Sequence, residues 1–401
     1  MSAEHRVYLD HAATTPVRPE VIEVVAATMA DVGNPSSLHA SGRAARKVVE
    51  ESRETIAAAL GARPSEVVFT SGGTEADNLA LKGIYWSRRA ADHRRVRILA
   101  SAVEHHAVID PVQWLADSQG AEVEWLPVER SGRLRTDALR AAIERDPASV
   151  ALVSVMVANN EIGTLQPIGE VVGAASAHGI PVHADAVQAV GQLPVDFGAS
   201  GLDAMTISGH KLGGPVGSGA LFVRRELDLV PVSHGGGQER DVRSGTLDTA
   251  SIAGLATAVA AATADVVGHA AALSGLRDAL VDGIAAAVPK AVFNGPPAAV
   301  LPGHAHVSFP GCEGDSLLLL LDALGIECST GSACSAGVPQ PSHVLTAMGV
   351  EPQLARGSLR FTLGRTSTRA DVEAVIESIG PVVERARAAG LVNASRAGMV
   401  G

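Results

Sequence analysis

One lysine stands out by its surroundings. Lys211 lies in the segment 205–219 (MTISGHKLGGPVGSG), after an apolar, strand-like run and before a glycine-rich turn. The chain has only four lysines, the others being Lys47, Lys82 and Lys290, and otherwise uses arginine for positive charge. A desolvated lysine can lose its proton and form a Schiff base, which an arginine cannot do. The position therefore favours covalent chemistry, with an ordinary surface lysine as the alternative.

An aspartate precedes this lysine by about one structural unit. Asp185 ends the strand-like run 180–185 (IPVHAD), 26 positions before Lys211, which is about the length of one crossover connection. Ligands of open α/β sheets bind outside the carboxyl ends of the strands, where two such side chains become neighbours. A carboxylate there can keep a pyridine nitrogen protonated. Alone, Asp185 could equally cap a helix; paired with Lys211 it predicts a cofactor site.

A third segment has the pattern of an anion site. Residues 68–78 (VFTSGGTEADN) predict a strand, a glycine turn and the start of a helix. Backbone N–H groups and the positive end of a helix dipole suit a phosphate dianion at such a turn. Many ordinary turns share this pattern, so the signal is weak alone. Ser208 and His210, which lie just before Lys211, could add donors to the same phosphate.

One of the three cysteines departs from the usual behaviour of this residue. Cys334 lies in 328–343 (CSTGSACSAGVPQPSH), a segment of small, polar and turn-forming residues that predicts a mobile loop. A nucleophilic thiol needs access and thiolate character, which such a loop provides. Cys312 and Cys328 instead fit the default of a small buried side chain. Cys328 is either a packing residue, which we favour, or a disulfide partner of Cys334.

Strand-like runs alternate with helix-like stretches through the first two-thirds of the chain. The predicted strands are 67–70, 97–101, 151–156, 181–184, 204–208 and 220–223, and the helices between them include 43–60, 107–118, 136–145 and 168–178. This alternation predicts the α/β class, with a mainly parallel sheet covered on both faces. After one long helical stretch at 250–287, strand-like pieces are sparse (306–309, 325–329 and 358–362). We therefore predict a large domain at 16–262 and a small α+β domain at 1–15 and 263–401.

Composition limits the partners. The 401 residues carry a formal net charge of −11, and the densest basic cluster, at 94–97 (RRVR), is short, so we expect no direct nucleic-acid binding. The N-terminus lacks a signal-peptide layout, and the apolar stretches 250–267 and 317–321 are interrupted or too short to span a bilayer, so we expect no membrane association. An odd number of cysteines does not suggest a secreted disulfide framework, which favours a soluble protein of the cytoplasm.

These segments belong to an ordered series of motifs between about residues 7 and 375. The motifs are 8–16 (YLDHAATTP), 33–37 (GNPSS), 70–78 (TSGGTEADN), 104–108 (EHHAV), 159–163 (NNEIG), 183–188 (HADAVQ), 208–211 (SGHK), 234–240 (HGGGQER), 243–246 (RSGT), 331–334 (GSAC) and 359–365 (LRFTLGR). In this order they resemble the cysteine desulfurases of the NifS/IscS type, which are pyridoxal-phosphate enzymes of the class V aminotransferase family. The resemblance implies the fold type I architecture of the PLP-dependent transferases.

The resemblance also implies a role for each matching residue. Lys211 would hold pyridoxal 5'-phosphate as a Schiff base and act as the base at the substrate Cα, and Asp185 would face the pyridine nitrogen. Gln188 would bind the phenolic oxygen, and His105 would stack on the ring and shuttle protons. The implied phosphate ligands are Gly73, Thr74, Ser208, His210 and, from the partner subunit of a homodimer, Thr246. The implied substrate ligands are Asn34, Asn160 and Arg360, with Asn160 also contacting the cofactor.

Two neighbours of these positions could compete for the same roles. His106 follows His105 directly but does not align with the stacking histidine of the family. Arg356 is close to Arg360 and is either a surface residue, which we favour, or a second anion ligand.

The implied activity converts L-cysteine to L-alanine. The Cys334 thiolate would take the sulfur as a persulfide and pass it to an acceptor or iron–sulfur scaffold protein, and the spacing to 341–345 (PSHVL) resembles that of the branch with a long, mobile loop. Iron–sulfur cluster assembly is the expected destination, and tRNA or DNA thiolation stays open. A selenocysteine lyase or an aminotransferase is the alternative enzyme, although an aminotransferase has no use for a nucleophilic thiol. A non-catalytic sulfur-relay protein would not need the complete set of Lys211, Asp185, His105 and Cys334.

Overall fold

The computed structural model describes residues 6–330 and 341–397. In chain order its strands are β1 (Val7–Tyr8), β2 (Val67–Thr70), β3 (Arg97–Ser101), β4 (Glu122–Leu126), β5 (Val150–Ser154), β6 (Val182–Asp185), β7 (Ala204–Ser208), β8 (Gly219–Val223), β9 (Val292–Asn294), β10 (His304–Ser308), β11 (Ile326–Glu327) and β12 (Ser358–Thr362). Its helices are α1 (Pro19–Ala30), α2 (Ala40–Ala59), α3 (Gly73–Ala91), α4 (His106–Gln119), α5 (Thr136–Arg145), α6 (Ile168–Ser176), α7 (Phe197–Ser200), α8 (Thr249–Thr263), α9 (Val266–Ala287), α10 (Gly314–Asp322), α11 (His343–Ala347), α12 (Pro352–Arg356) and α13 (Arg369–Ala397).

The central sheet has seven strands among the described residues, in the order β2-β8-β7-β6-β5-β3-β4. Strand β8 runs antiparallel to both of its neighbours, and the other pairings within the sheet are parallel. The predicted α/β class with a mainly parallel sheet is therefore confirmed. Parallel pairing with helical crossovers places the carboxyl ends of these strands at one edge, where a ligand can bind.

Both faces of the sheet are covered, and the strand sequences show why. Val67 and Phe69 pack into a core shared with helices α1, α2 and α8, whereas Val68 between them packs into a second core with α3 and α4. Successive side chains of a strand point to opposite faces, so a strand buried on both sides must be apolar throughout. Such continuous apolar runs made these strands predictable from the sequence.

The long helical stretch predicted at 250–287 is two helices, so the expectation of one continuous helix was wrong. Helices α8 and α9 are separated by a short break and bend by 70°. The side chain of Asp265 accepts a hydrogen bond from the N–H of Gly268, which caps the start of α9. Among the described residues, no single helix is long and apolar enough to cross a membrane; this bent pair meets those criteria of length and composition only jointly.

A separate core forms around the remaining strands. Strands β12, β10 and β9 make an antiparallel sheet, and β1 pairs in parallel with β11. Leu9, Leu273, Val307 and Phe361 are among the buried side chains that pack together there. The N-terminal strand thus joins the C-terminal part of the chain. We propose that this core and the central sheet correspond to the predicted domains, 1–15 with 263–401 and 16–262.

Candidate active site at the carboxyl ends of β6 and β7

A cavity of about 400 Å³ lies where β6 and β7 end. The two strands pair in parallel, and their last residues, Asp185 and Ser208, both line the cavity. Most of the predicted site residues are found in its wall: Gly73, Thr74, His105, Asn160, Asp185, Gln188, Ser208, His210, Lys211 and Arg360. The fold therefore brings together residues that are separated by up to 287 positions in the sequence, from Gly73 to Arg360.

Lys211 is the last residue of a single 3-10 turn that follows β7 directly. Its ammonium group donates hydrogen bonds to the backbone oxygens of Ala12 and Ala13, the latter at 2.7 Å. Burial, followed by the positive charge of Arg360, lowers the pKa of Lys211 to about 8. Near neutral pH the nucleophilic, neutral amine is therefore far more populated than in an exposed lysine.

Asp185 is buried at the end of β6, and its Oδ1 accepts a hydrogen bond from the N–H of Val187 at 2.8 Å. Burial, followed by the negative charge of Asp77, raises the pKa of Asp185 to about 7. A carboxylate in this position gains from a cation beside it, because an opposite charge offsets the cost of desolvation. Its chemistry suits a protonated ring nitrogen.

The turn before α3 has the geometry of an anion site. We call residues 71–75 the phosphate turn; Gly73 and Thr74, the first two residues of α3, line the cavity. Gly72 caps the helix with a φ of 149°, a conformation that L-residues with a side chain rarely adopt. A Cβ atom on Gly73 would lie 3.0 Å from Cγ2 of Val187, so glycine also keeps this wall of the cavity open.

His105 is the N-cap residue of α4, and its Nδ1 accepts a hydrogen bond from the N–H of Ala107 at 3.0 Å. His105 keeps an exposed side, but desolvation by the surrounding protein, followed by the charge of Lys211, lowers its pKa to about 4. The ring is therefore neutral near pH 7 and carries its proton on Nε2, since Nδ1 acts as an acceptor. His106 does not line this cavity; its Nδ1 lies 3.1 Å from Oδ1 of Asp110.

Burial also keeps the second cavity histidine neutral. His210 immediately precedes Lys211, and its Nδ1 lies 3.2 Å from the hydroxyl of Thr14. Burial, followed by the charge of Lys211, lowers the pKa of His210 to about 4. A neutral histidine can donate one hydrogen bond to an anion without adding a charge.

Arg360 enters the cavity from the smaller core, on β12. Its guanidinium donates to the backbone oxygen of Asn160 at 2.9 Å and to Oδ1 of Asp10 at 2.7 Å. Its Nε is buried and has no hydrogen-bond partner among the described residues. Two contacts thus fix the plane of the fork while leaving donor capacity for an incoming carboxylate.

Known proteins match the chain along nearly its whole length. Residues 7–375 match the family model described as aminotransferase class V. The chain is 58% identical over 388 residues to the IscS-like cysteine desulfurase of Mycobacterium tuberculosis (strain ATCC 25618 / H37Rv), and the match covers 96% of this chain and 98% of that protein. The chain belongs to the cysteine desulfurases of the class V aminotransferase family. The resemblance predicted from the motifs is confirmed.

Two solved structures agree with this assignment. A NifS-like protein matches this cysteine desulfurase with a TM-score of 0.88 and 34% identity, over 95% of this chain and 100% of the other. The structure of SspA in complex with cysteine matches with a TM-score of 0.76 and 34% identity, over 90% of this chain and 99% of the other. The predicted fold type I architecture is confirmed by these neighbours. Enzymes of this family use pyridoxal phosphate.

Two predicted residues of the cysteine desulfurase do not line the cavity. Asn34 is exposed, and its side-chain oxygen accepts a hydrogen bond from the N–H of Ser36 at 2.9 Å. Thr246 is exposed as well, which is the placement expected of a residue that serves a partner subunit. Their roles stay predictions.

The cysteines differ in how far the structure describes them. Cys334 lies outside the described residues. Cys328 is buried, and burial raises the pKa of its thiol to about 12; Cys312 is buried too. Neither forms a disulfide with the other, and the choice between packing and a bond to Cys334 stays a prediction for Cys328. Arg356, for which the sequence left open a surface position or a role as second anion ligand, is exposed at the end of α12.

The structure adds site residues that sequence reasoning missed. Asp77, on α3, lines the cavity with Oδ1 3.4 Å from Nε2 of the buried His183, and neither carboxylate oxygen has a hydrogen-bond partner among the described residues. Burial raises the pKa of Asp77 to about 7. Asp10 holds Arg360, and the backbone of Ala12 holds Lys211. Both aspartates lie inside the family motifs, which was the signal that could have drawn attention to them.

Proposed function

We propose that this cysteine desulfurase releases the sulfur of L-cysteine as a persulfide on Cys334, leaves L-alanine, and works with pyridoxal phosphate held by Lys211. One observation carries the proposal. A half-buried lysine with a pKa lowered to about 8 and a buried aspartate face one cavity from the ends of adjacent parallel strands. A reactive amine and a partner for a ring nitrogen are the two groups that this cofactor requires from a protein.

The donor set of the cavity fits the cofactor. Asp185 would be the partner for the ring nitrogen, and Gln188, whose amide donates to the oxygen of Ala12 at 2.9 Å, would bind the phenolic oxygen. His105 is the residue for stacking on the ring. The phosphate ligands are Gly73, Thr74, Ser208 and His210 of this chain, with Thr246 supplied by the partner subunit of a homodimer.

When bound, pyridoxal phosphate supplies an electron sink that allows the Cα proton of an amino acid to leave. We assign Lys211 as the base for that proton, because its lowered pKa makes the neutral amine available. Arg360 and Asn160 orient the substrate carboxylate, with Asn34 as a third ligand. The buried Nε of Arg360 has no hydrogen-bond partner among the described residues, which supports a role in binding an anion.

The sulfur step needs no added oxidant. The Cys334 thiolate attacks the substrate sulfur, a new S–S bond forms as the Cβ–S bond breaks, and the carbon skeleton takes up protons to become alanine. The described residues on either side of 331–340 support this assignment. Ser329 lines the cavity, and Nε2 of His343 lies 2.9 Å from the backbone oxygen of Glu104, the residue before His105.

The persulfide then passes to an acceptor protein. We propose an iron–sulfur scaffold protein as that acceptor, with tRNA or DNA thiolation through another acceptor as the alternative. The odd number of cysteines in the chain favours a reducing cytoplasm as the place of this reaction.

The test is incubation of the purified protein with L-cysteine, with alanine and sulfide measured as products in the presence of a thiol reductant. Wild type should form both, and Cys334→Ala should lose turnover. Cys328→Ala is the matched control, because its buried thiol should not take part. Full turnover by Cys334→Ala would show that the sulfur is accepted elsewhere, and a preference for L-selenocysteine would favour the lyase instead.

A further inference from the structure

Glu75 places a negative charge in the phosphate turn. It follows Gly73 and Thr74 as the third residue of α3, and its Oε2 accepts a hydrogen bond from the N–H of Ser71 at 2.6 Å. An acidic side chain in the first turn stabilises a helix, because it faces the positive end of the dipole. A phosphate dianion bound by the same turn would be repelled by that carboxylate. The helix N-terminus can hold both only if the charge of Glu75 is balanced.

Arg243 provides the balance. Its Nε donates to Oε1 of Glu75 at 2.8 Å, and its Nη2 lies 3.4 Å from Oε2. Burial is the largest single influence and works against ionisation of Glu75, but the hydrogen bonds from Arg243 and Ser71, together with the charge of Arg243, hold the pKa of the acid below its usual value. The two side chains are only 21% and 28% exposed, so solvent screens them less than a surface pair. The pair is therefore ionised and has no net charge.

The backbone around Arg243 is fixed. Residues 239–243 form a tight turn in which Arg240 and Asp241 have φ values of 55° and 61°. Two consecutive non-glycine residues in this region are strained and persist only where the surroundings hold them. Glu239, 2% exposed, holds this turn: it accepts hydrogen bonds from Arg53 at 2.8 and 2.7 Å and from the N–H of Phe69 at 2.9 Å. Arg243 thus reaches Glu75 from a turn that is tied to β2 and α2.

We propose that Arg243 is a positioning residue for the phosphate turn: it neutralises Glu75 so that the N-terminus of α3 can accept the cofactor's dianion. The proposal rests on the proposed function, because the dianion is that of pyridoxal phosphate. According to this proposal, the affinity for the phosphate ester depends on the net charge of the two side chains and not on whether they form an ion pair. Arg243 without Glu75 leaves an extra positive charge, and Glu75 without Arg243 leaves an extra negative one.

The test compares two ligands of the full-length apoenzyme: pyridoxal 5'-phosphate and pyridoxal, which lacks the phosphate. Arg243→Gln should weaken binding of the phosphate ester by about tenfold and change pyridoxal by less than about twofold. Arg243→Lys keeps the charge and should stay near wild type. Glu75→Gln alone should bind the ester at least as tightly as wild type, and Glu75→Gln in the Arg243→Gln protein should restore most of the lost affinity.

The outcomes distinguish an effect of charge on phosphate binding from a purely structural role of the ion pair. If the double variant binds the ester as weakly as Arg243→Gln, or if Arg243→Gln weakens both ligands equally, the pair only holds the fold and the proposal is wrong. Glu75→Gln keeps the shape of the side chain, so weaker ester binding by this single variant would contradict the proposal as well. A wild-type apoenzyme that binds neither ligand would overturn the proposed function itself.

Discussion

Lys211 and Gln188 donate hydrogen bonds to the same backbone carbonyl, that of Ala12. The amine that we assign to the cofactor carbonyl and the amide that we assign to the phenolic oxygen are thereby aligned on one acceptor. That acceptor is a main-chain atom of an alanine, so its position depends on the backbone and not on a side-chain rotamer. The alignment ties the geometry of the site to the path of residues 10–15.

The lowered pKa of Lys211 predicts how covalent cofactor binding depends on pH. Only the neutral amine attacks a carbonyl, so the rate should rise with pH and reach half of its maximum near pH 8, the pKa set by burial and Arg360. Rapid mixing of apoenzyme with pyridoxal phosphate between pH 6 and 10 measures this rate by absorbance. Arg360→Gln removes a positive charge and should move the midpoint upward. A wild-type midpoint near 10 contradicts the prediction.

Replacement of Lys211 by arginine should abolish covalent cofactor binding while leaving the protein folded. Arginine keeps the positive charge but does not lose its proton, so the absorbance of the bound cofactor should disappear and turnover should fall at least about 100-fold. Lys82→Arg is the matched control, because Lys82 packs on the ring of Trp114 at 4.5 Å and does not line the cavity. Equal losses of cofactor absorbance and turnover in both variants would contradict the role assigned to Lys211.

Asp77 should make the stability of the apoenzyme depend on pH. The folded protein keeps the proton of Asp77 up to about pH 7, whereas the unfolded chain releases it near 3.8, so stability present at low pH is lost as the pH rises through 7. Between pH 4 and 8, wild type should lose about 4 kcal/mol more unfolding free energy than Asp77→Asn. Urea denaturation measures the unfolding free energy of both proteins. Asp110 is exposed, so Asp110→Asn should show the same pH dependence as wild type. Parallel pH profiles for wild type and Asp77→Asn are the contrary result.

Gly219 should be intolerant of a methyl group. A Cβ atom there would lie 2.7 Å from the backbone Cα of Gly72, so alanine must displace the phosphate turn from β8. Gly219→Ala should destabilise the protein by about 2 kcal/mol and weaken cofactor binding. Gly173, inside α6, has open space around it, and Gly173→Ala should stabilise slightly because alanine favours a helix. Thermal unfolding of both variants measures these changes in stability. A Gly219→Ala protein as stable as wild type would argue against this close contact.

The sequence predicts fully buried strands better than half-exposed ones. The bounds of β2, β3, β7 and β12 were predicted to the residue, and all four are short strands that are buried along all or nearly all of their length. Strand β4 was missed. It lies at one edge of the sheet and is only partly buried; Glu122 and Glu124 alternate with Val123 and Trp125, and that charged, half-exposed pattern resembles a loop.

The sequence predicts those site residues that lie at the ends of buried strands. Lys211 and Asp185 follow adjacent buried strands, so topology alone makes them neighbours. The contact between Asp10 and Arg360 joins positions 350 apart, and no local pattern indicates it. The same holds for Asp77, whose isolation depends on burial by several elements. The pairing of Glu75 with Arg243 likewise depends on the strained turn at 239–243, and the sequence of that turn does not predict its conformation.

The pairing of β1 with β11 has a consequence for biosynthesis. Ala12, whose carbonyl orients Lys211, donates its own N–H to the hydroxyl of Thr362 at 2.9 Å, and the preceding strand lies beside Ile326. A nascent chain on the ribosome therefore holds the first strand without its partner during most of translation, although the central sheet can already form. The pocket is completed only after Thr362 has emerged. We therefore expect the cofactor to bind only after this part of the chain has been made, and a chain truncated before Thr362 to stay in the apo form.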